Sequence, residues 1–104
     1  MNMMKFMKQA QEMQAKAAKL QAELAARHYE AEAAGGKVKA IASGESMLVS
    51  LKIDPELLKE GDAELLEDLI VTAVREAIDK GKADAQKELG KIMPGGLGGG
   101  LPGF

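Results

Sequence analysis

The sequence contains no cysteine and no tryptophan, and its only aromatic residues are Phe6, Tyr29 and Phe104. The absence of cysteine excludes disulfides, thiolate metal ligands and a thiol nucleophile. So few aromatic residues argue against base stacking, because a single-strand platform needs several of them on one surface. No apolar run approaches the ~20 residues that span a bilayer, and the first segment is too polar after Met7 for a secretory signal. We therefore expect a soluble, cytoplasmic protein without a membrane partner.

Charge is unevenly distributed along a chain whose 104 residues suffice for one domain. Lysine and arginine number 14 against 16 aspartate and glutamate residues, a formal net charge of −2. Residues 1–52 hold eight basic and five acidic residues, a net of +3, whereas residues 53–104 hold six and eleven, a net of −5. An anionic partner is therefore expected to meet the first half of the chain.

Hydrophobic periodicity predicts a long first helix, from about Met3 to Ala26. The segment has no glycine or proline and is dominated by strong helix formers. Its apolar residues recur at alternating spacings of three and four, as in a heptad seam, at Met3, Phe6, Ala10, Met13, Ala17, Leu20 and Leu24. At ~1.5 Å per residue this helix is a rod of about 36 Å, which must protrude from a small domain or pair along its seam.

Three short segments between about residues 27 and 53 alternate apolar and polar side chains, the pattern of β-strands. Gly35-Gly36 and the polar run at 43–46 separate them as short turns, so that neighbouring strands are expected to be antiparallel. In the last and clearest strand the predicted apolar face consists of Met47, Val49, Leu51 and Ile53. The opposite face of the sheet carries Lys37, Lys39 and Lys52.

An Asp-Pro pair at 54–55 ends the sheet and starts a short helical turn, with the aspartate as its cap. Asp62 is predicted to cap a second long helix that ends near Ile92. Beyond Gly81 this helix has few large apolar residues, so we expect its last part to be solvated or to contact a partner. Residues 94–104 are rich in glycine and proline and are predicted to form a disordered tail.

The prediction is an α+β subunit of order α-β-β-β-α, a single domain over residues 1–93 with a three-stranded antiparallel meander between two long helices, about 3–26 and 62–92. Three short strands offer one small apolar face, which cannot cover both helices. Leaving the seam exposed would forfeit several kcal/mol at ~25 cal/mol per Å², so we predict a homodimer. The candidate interface consists of Phe6, Met13, Leu20, Leu24, Val49 and Leu51.

Residues suited to catalysis or metal binding are few. His28 is the only histidine, and a strand residue is favoured over a ligand because convergent partners are lacking. The acidic run at 60–68 lacks the spacing of a calcium loop and favours helix capping with a solvated face. The glycine-rich segments lack the Lys-Ser or Lys-Thr pair of a phosphate loop. We predict no enzyme, no cofactor and no small-molecule substrate.

Basic residues of the first helix are the most informative group. Four lysines lie away from the seam and could lie along phosphates without reading bases: Lys5, Lys8, Lys16 and Lys19. Weaker candidates are Arg27, Lys37 and Lys39. The alternative is a solvated face that only keeps the helix soluble. The early methionines likewise admit two interpretations, an adaptable apolar surface or a frayed end.

Several short motifs follow one another in a specific order and spacing. They are residues 7–14 (MKQAQEMQ), the Gly35-Gly36 turn followed by Val38, residues 53–58 (IDPELL), residues 66–70 (LEDLI) with Ala73 and Ala77, and the ending 101–104 (LPGF). Together they resemble the YbaB/EbfC family of bacterial nucleoid-associated proteins over essentially the whole chain.

The resemblance implies an α-β-β-β-α subunit and a homodimer whose helices project like tweezers. It implies binding to double-stranded DNA, with little sequence preference or at short palindromes, and a role in chromosome organisation and gene regulation in the nucleoid. The family's DNA contacts are associated with its long helices, which matches the lysines of the first helix here. The sequence departs from the family at Arg75, in a stretch where the family often has asparagine, and in its acidic second half.

A second hypothesis is a prefoldin-like holdase or protein-interaction adaptor without DNA binding. Two long helices flanking a small β-region also describe such chaperones, and the methionine-rich start would then grip a client. Against it, the helices are short for that architecture. Suppression of client aggregation without DNA binding would favour this hypothesis over the nucleoid protein.

Overall fold

The computed structural model describes residues 2–92. Along the chain they form α1 (Met3–Ala26), β1 (His28–Ala33), β2 (Val38–Ser43), β3 (Leu48–Ile53), α2 (Pro55–Lys59) and α3 (Ala63–Ile92). The predicted α+β order of helix, antiparallel meander and long helix is confirmed, with α2 as the short turn after the sheet. The predicted tail at 94–104 lies outside the described residues. No helix within residues 2–92 is long and apolar enough to cross a membrane.

Polar side chains cap the start of each helix. Asp54 Oδ1 accepts a hydrogen bond from the Glu56 N–H at 2.9 Å, and Asp62 Oδ1 accepts one from the Leu65 N–H at 3.0 Å. Asn2 caps α1 in the same way, through two backbone N–H groups. These bonds satisfy amides that the first turn of a helix leaves without partners. The caps predicted at both aspartates are confirmed.

Small side chains bring α3 close to the sheet, whose strands lie in the order β1-β2-β3. Val38, Ala40 and Ala42 of β2 are completely buried in one cluster with Ala73 and Ala77 of α3. Alanine on both surfaces lets the backbones of helix and sheet approach closely. Burial of this apolar face is the main force that holds α3 on the sheet.

Two glycines allow the closest backbone approaches. A Cβ atom at Gly81 would lie 2.9 Å from the carbonyl oxygen of Ser43, and one at Gly44 would lie 2.6 Å from the carbonyl oxygen of Leu24. The Gly44 N–H donates to that same Leu24 carbonyl at 2.9 Å. The last turn of α1 is therefore anchored to the turn between β2 and β3.

The predicted apolar face of β3 is only partly correct. Ala42 pairs with Leu48 while Ile41 pairs with Ser50, so Val49 is an extra residue that bulges out of the ladder. The bulge interrupts the simple alternation on which the prediction rested. Beyond it, β3 packs against the core through Leu51 and Ile53, whereas Met47, Leu48 and Val49 remain exposed.

The last part of α3 is largely solvated, which is one of the two alternatives predicted from the sequence: no residue from 82 to 92 is buried, and Leu89 is 47% exposed. Beyond Gly81 it continues past the sheet and packs against the second half of α1. This contact buries Leu20 and Leu24, which are each only 7% exposed. The first half of α1 extends further, and the molecule measures 69 × 27 × 17 Å.

Candidate nucleic-acid interface

The four lysines of α1 lie on its exposed side. Lys5, Lys8, Lys16 and Lys19 are all exposed, whereas Leu20 and Leu24 face inwards. Among residues 2–92, none of these four lysines lies within ion-pair distance of a carboxylate. Their ammonium groups are therefore free to neutralise phosphates of a polyanion that lies along the helix.

Lys16 and Lys19 lie beside a basic residue that sequence reasoning did not select. Together with Lys91 of α3 they line a shallow groove between the two helices, where Lys91 Nζ is 3.0 Å from Glu88 Oε1. The sequence around Lys91 does not indicate that it lies beside Lys16 and Lys19, because these neighbours in space are distant along the chain. The groove therefore brings lysines of both long helices together with two carboxylates, Glu23 and Glu88.

Lys5 and Lys8 lie on the protruding half of α1. They line an open surface with Met4 and Met7. Charged and apolar side chains therefore alternate at the tip of the molecule, where Met4 and Met7 are exposed.

Arg27 is held in a polar network at the base of α1. Its Nη1 atom donates to Asp84 Oδ2 at 3.0 Å and lies 3.7 Å from Glu88 Oε1. The Tyr29 hydroxyl donates to the same Asp84 oxygen. The network joins the end of α1 and the start of β1 to α3. A phosphate would have to compete with two carboxylates for this guanidinium, so Arg27 is a weaker candidate for a phosphate contact than the four lysines.

The network shifts the pKa values of its members. The hydrogen bond from Tyr29, followed by that from Arg27, holds the pKa of the Asp84 carboxyl below its usual range. Burial, followed by the hydrogen bond to Asp84, raises the pKa of Tyr29. The bond to Asp84 also raises the pKa of Arg27, and the bond from Lys91 lowers the pKa of Glu88. Near neutral pH, Asp84 is therefore ionised and Tyr29 is protonated, as the hydrogen bonds require.

The sheet lysines lie apart from those of α1. Lys39 is the direct cross-strand partner of Lys52, and its Nζ atom is 3.9 Å from Glu32 Oε1. Lys37 lines the same surface groove as this pair. The structure therefore brings Lys37 and Lys39 together with each other and with Lys52, and not with the lysines of the first helix.

The predicted dimer interface needs one correction. Leu20 and Leu24 pack inside the single chain, because α3 extends far enough to cover them, so they are not available to a second copy. Leu51 is packed against the core of its own chain. The exposed members of the predicted set are Phe6, Met13 and Val49.

Sequence reasoning also missed an apolar flank of α3. Ile70, Val71, Val74 and Ile78 line an open groove on this helix, bordered by charged residues. Lys80 reaches the Glu30 carbonyl of β1 from the other side of α3, so this flank faces the β3 side of the molecule. The helical spacing of Val71, Val74 and Ile78 is a signal in the sequence that could have identified it.

His28 is an exposed residue at the start of β1, opposite Ser43. Within the part of the chain that the structure describes, no three acidic or histidine side chains are arranged to hold a metal ion. The geometry around His28 is that of a strand residue.

Fold and surface together define a small α+β protein with a basic, partly projecting helix. The model of the YbaB/EbfC DNA-binding family matches residues 1–97. The chain belongs to this family, as the sequence motifs predicted.

Curated relatives are similar over most of their length. A nucleoid-associated protein of Moorella thermoacetica is 48% identical over 103 residues, which cover 99% of this chain and 96% of that protein. A nucleoid-associated protein of Pelotomaculum thermopropionicum is 44% identical over 91 residues, covering 88% and 87% of the two chains. One of Streptomyces avermitilis is 43% identical over 103 residues, covering 99% and 91%.

The fold also has a counterpart among solved structures. The crystal structure of an uncharacterized protein from Helicobacter pylori matches with a TM-score of 0.75, covering 84% of this chain and 91% of the other. At 20% identity, this likeness concerns the fold alone.

Proposed function

We propose that this protein binds double-stranded DNA as a homodimer, mainly through phosphate contacts, and acts in the nucleoid in chromosome organisation and gene regulation. The observation that carries the proposal is the set of four α1 lysines that are exposed and have no carboxylate partner among residues 2–92: Lys5, Lys8, Lys16 and Lys19. Lysines held as point charges along a rod suit the DNA backbone and carry little sequence information. The chain's membership in a DNA-binding family also supports DNA as the partner of these lysines.

A second copy of the chain would cover apolar surface that one chain leaves in water. Phe6 and Met13 on α1 and Val49 on the edge strand β3 are all exposed, and the α3 flank at 70–78 lies on the β3 side as well. An exposed apolar edge strand is a site at which proteins associate. Two copies would also double the number of lysines that one DNA segment meets.

Charge reversal on α1 tests the DNA contacts. Lys8→Glu combined with Lys16→Glu should weaken binding to a labelled random duplex by about 10–100-fold, because two lysines that attract phosphates become carboxylates that repel them. The slope of log affinity against log salt should fall by about one unit for each phosphate that the protein no longer neutralises. Fluorescence anisotropy at two salt concentrations measures both quantities.

The matched control is Lys59→Glu combined with Lys80→Glu. Both lysines are exposed, lie outside α1, and give the same change in net charge. Affinity should change by less than about threefold, since these positions contribute only to the long-range field. Equal reductions in affinity for both variants would contradict the assignment to α1, and absence of salt-dependent binding in the unaltered protein would overturn DNA binding itself.

The exposed tip of α1 favours one alternative function, a holdase or adaptor. Met3, Met4 and Met7 are exposed on the projecting helix, as a client-gripping surface requires. Suppression of aggregation of an unfolded client, by a protein that does not bind the duplex, would favour this alternative.

A further inference from the structure

A repulsive pair of lysines lies on the outer face of the sheet. Lys39 and Lys52 are both exposed and directly opposite each other in the antiparallel register of β2 and β3. Like charges at such positions destabilise a sheet, because the side chains share one face at close range. The fold keeps this pair although a glutamate at either position would convert repulsion into attraction.

The carboxylates beside the pair only partly compensate it. Glu32 Oε1 lies 3.9 Å from Lys39 Nζ, at the outer limit of an ion pair. Asp54 lines the same groove, but its Oδ1 atom accepts the Glu56 N–H as the cap of α2. Lys37 adds a third ammonium group to that groove. A phosphate oxygen is the kind of ligand that such convergent ammonium groups bind.

This cluster lies far from the lysines of α1. Leu66 of α3 lies beside Leu57 of α2, at the end of the sheet where the cluster is found, whereas Lys91 lies beside Lys16. Between Leu66 and Lys91, α3 spans about 37 Å at ~1.5 Å per residue. This distance is several times the Debye length of ~8 Å at physiological salt, so the two groups of lysines act on separate phosphates.

We propose that Lys37, Lys39 and Lys52 form a second phosphate-binding surface, which holds a separate segment of double-stranded DNA and lets one molecule bridge two duplexes. The proposal rests on the DNA binding proposed above for α1. It explains why the sheet retains a destabilising pair, since sites used for binding often sacrifice stability.

A bridging assay tests the proposal with the full-length protein. One duplex is immobilised, the protein is added, and capture of a second, fluorescent duplex is measured. Lys52→Glu should lower capture about tenfold, because it places a carboxylate where a phosphate would bind. The same substitution should raise Tm by about 2–5 °C, because the cross-strand pair becomes attractive. Affinity for a single free duplex should stay within about twofold, since the α1 lysines are unchanged.

Two further variants distinguish a local effect at the sheet from a general effect of net charge. Lys59→Glu makes the same change in charge at an exposed position on α2 and should leave capture unaltered. Lys37 lies outside the cross-strand pair, and Lys37→Glu should also reduce capture of the second duplex. Undiminished capture in Lys52→Glu, or in Lys37→Glu, would overturn the proposal and assign any bridging to the α1 lysines of two protomers.

The measurement on a single duplex separates the two proposals. If Lys52→Glu weakens single-duplex binding as much as capture, the lysines form one continuous surface and the second site is overturned. If the unaltered protein binds no duplex at all, DNA binding through α1 has failed first.

Discussion

The two halves of α1 share one apolar seam and lie in opposite environments. In the second half, Leu20 and Leu24 are covered by α3, whereas Phe6 in the first half is 69% exposed. The spacing of apolar residues is the same in both halves. The seam therefore indicates that the helix has an apolar face, and the length of α3 decides how much of that face its own chain covers.

The two halves of α1 therefore have different roles. The inner side of the second half is structural, because it packs on α3 and its Leu24 carbonyl accepts the Gly44 N–H, whereas its outer side carries Lys16 and Lys19. The first half carries surface that is free for DNA or a second copy, with Lys5 and Lys8 beside exposed methionines. Changes in the two halves should thus have different consequences for stability and for association.

Shortening apolar side chains of the seam should show the largest difference in stability between the two halves of α1. Leu24→Ala should lower the free energy of unfolding by about 2–4 kcal/mol, because it opens a cavity beneath α3. Phe6→Ala should change the stability of the dilute protein by less than about 0.5 kcal/mol, since that side chain is exposed. Urea unfolding at low protein concentration measures both.

The Phe6 variant also tests the proposed homodimer. Sedimentation at micromolar concentration should show Phe6→Ala shifted towards the 11.0 kDa monomer relative to the unaltered protein. A homodimer that survives truncation of Phe6 together with Met13 would place its interface outside the first half of α1, on β3 and the α3 flank.

Gly44 offers a sharper test of how α1 is anchored. Gly44→Ala should cost about 1–3 kcal/mol, because the new Cβ atom meets the Leu24 backbone and must push α1 away. Gly35→Ala is the control: its φ of +65° disfavours alanine, but nothing lies within 4 Å. Hydrogen exchange should show reduced protection in the second half of α1 for the first variant only. Equal reduction in both would mean that the β2–β3 turn does not anchor the helix.

The smallest expected effect concerns the network around Asp84. Its pKa is lowered on folding, so its contribution to stability is present above the unfolded value of about 3.9 and is lost as pH falls through the folded value. Asp84→Asn should therefore be less stable than the unaltered protein at pH 7, and the gap should narrow below about pH 4. Urea unfolding at pH 7 and pH 3 measures the gap.

Tyr29 makes the stability of the same network depend on pH at the alkaline end of the range. Its pKa is raised on folding, so its contribution to stability is complete below the unfolded value of about 10 and is lost as pH rises through the folded value.

A charge-swapped control for the Asp84 prediction, Arg27→Asp with Asp84→Arg, should restore part of the stability that either single change removes. A stability gap that stays constant from pH 7 to pH 3 would contradict a role for the Asp84 charge.

Local patterns predicted the elements of this fold well. The heptad spacing of α1, the alternation in β1 and β2, and the aspartate caps depend on neighbours in sequence, which is why they could be recognised. The bulge at Val49 could not, because it arises from the register between two strands. The same limit applies to the proposed site: the exposure of the α1 lysines could be predicted from the heptad spacing, whereas the proximity of Lys91 and the pairing of Lys39 with Lys52 depend on distant segments.

The sequence by itself determined the order of helices and strands, the family, and the helix whose outer side carries lysines. Those properties follow from the periods of the helix and the strand and from motifs that are contiguous along the chain. Only the tertiary structure decided which half of the seam is buried, that Arg27 is bonded to Asp84, and which lysines share a surface. These outcomes depend on how far α3 extends past the sheet and where it meets α1, and such distances are set by packing between segments more than fifty residues apart.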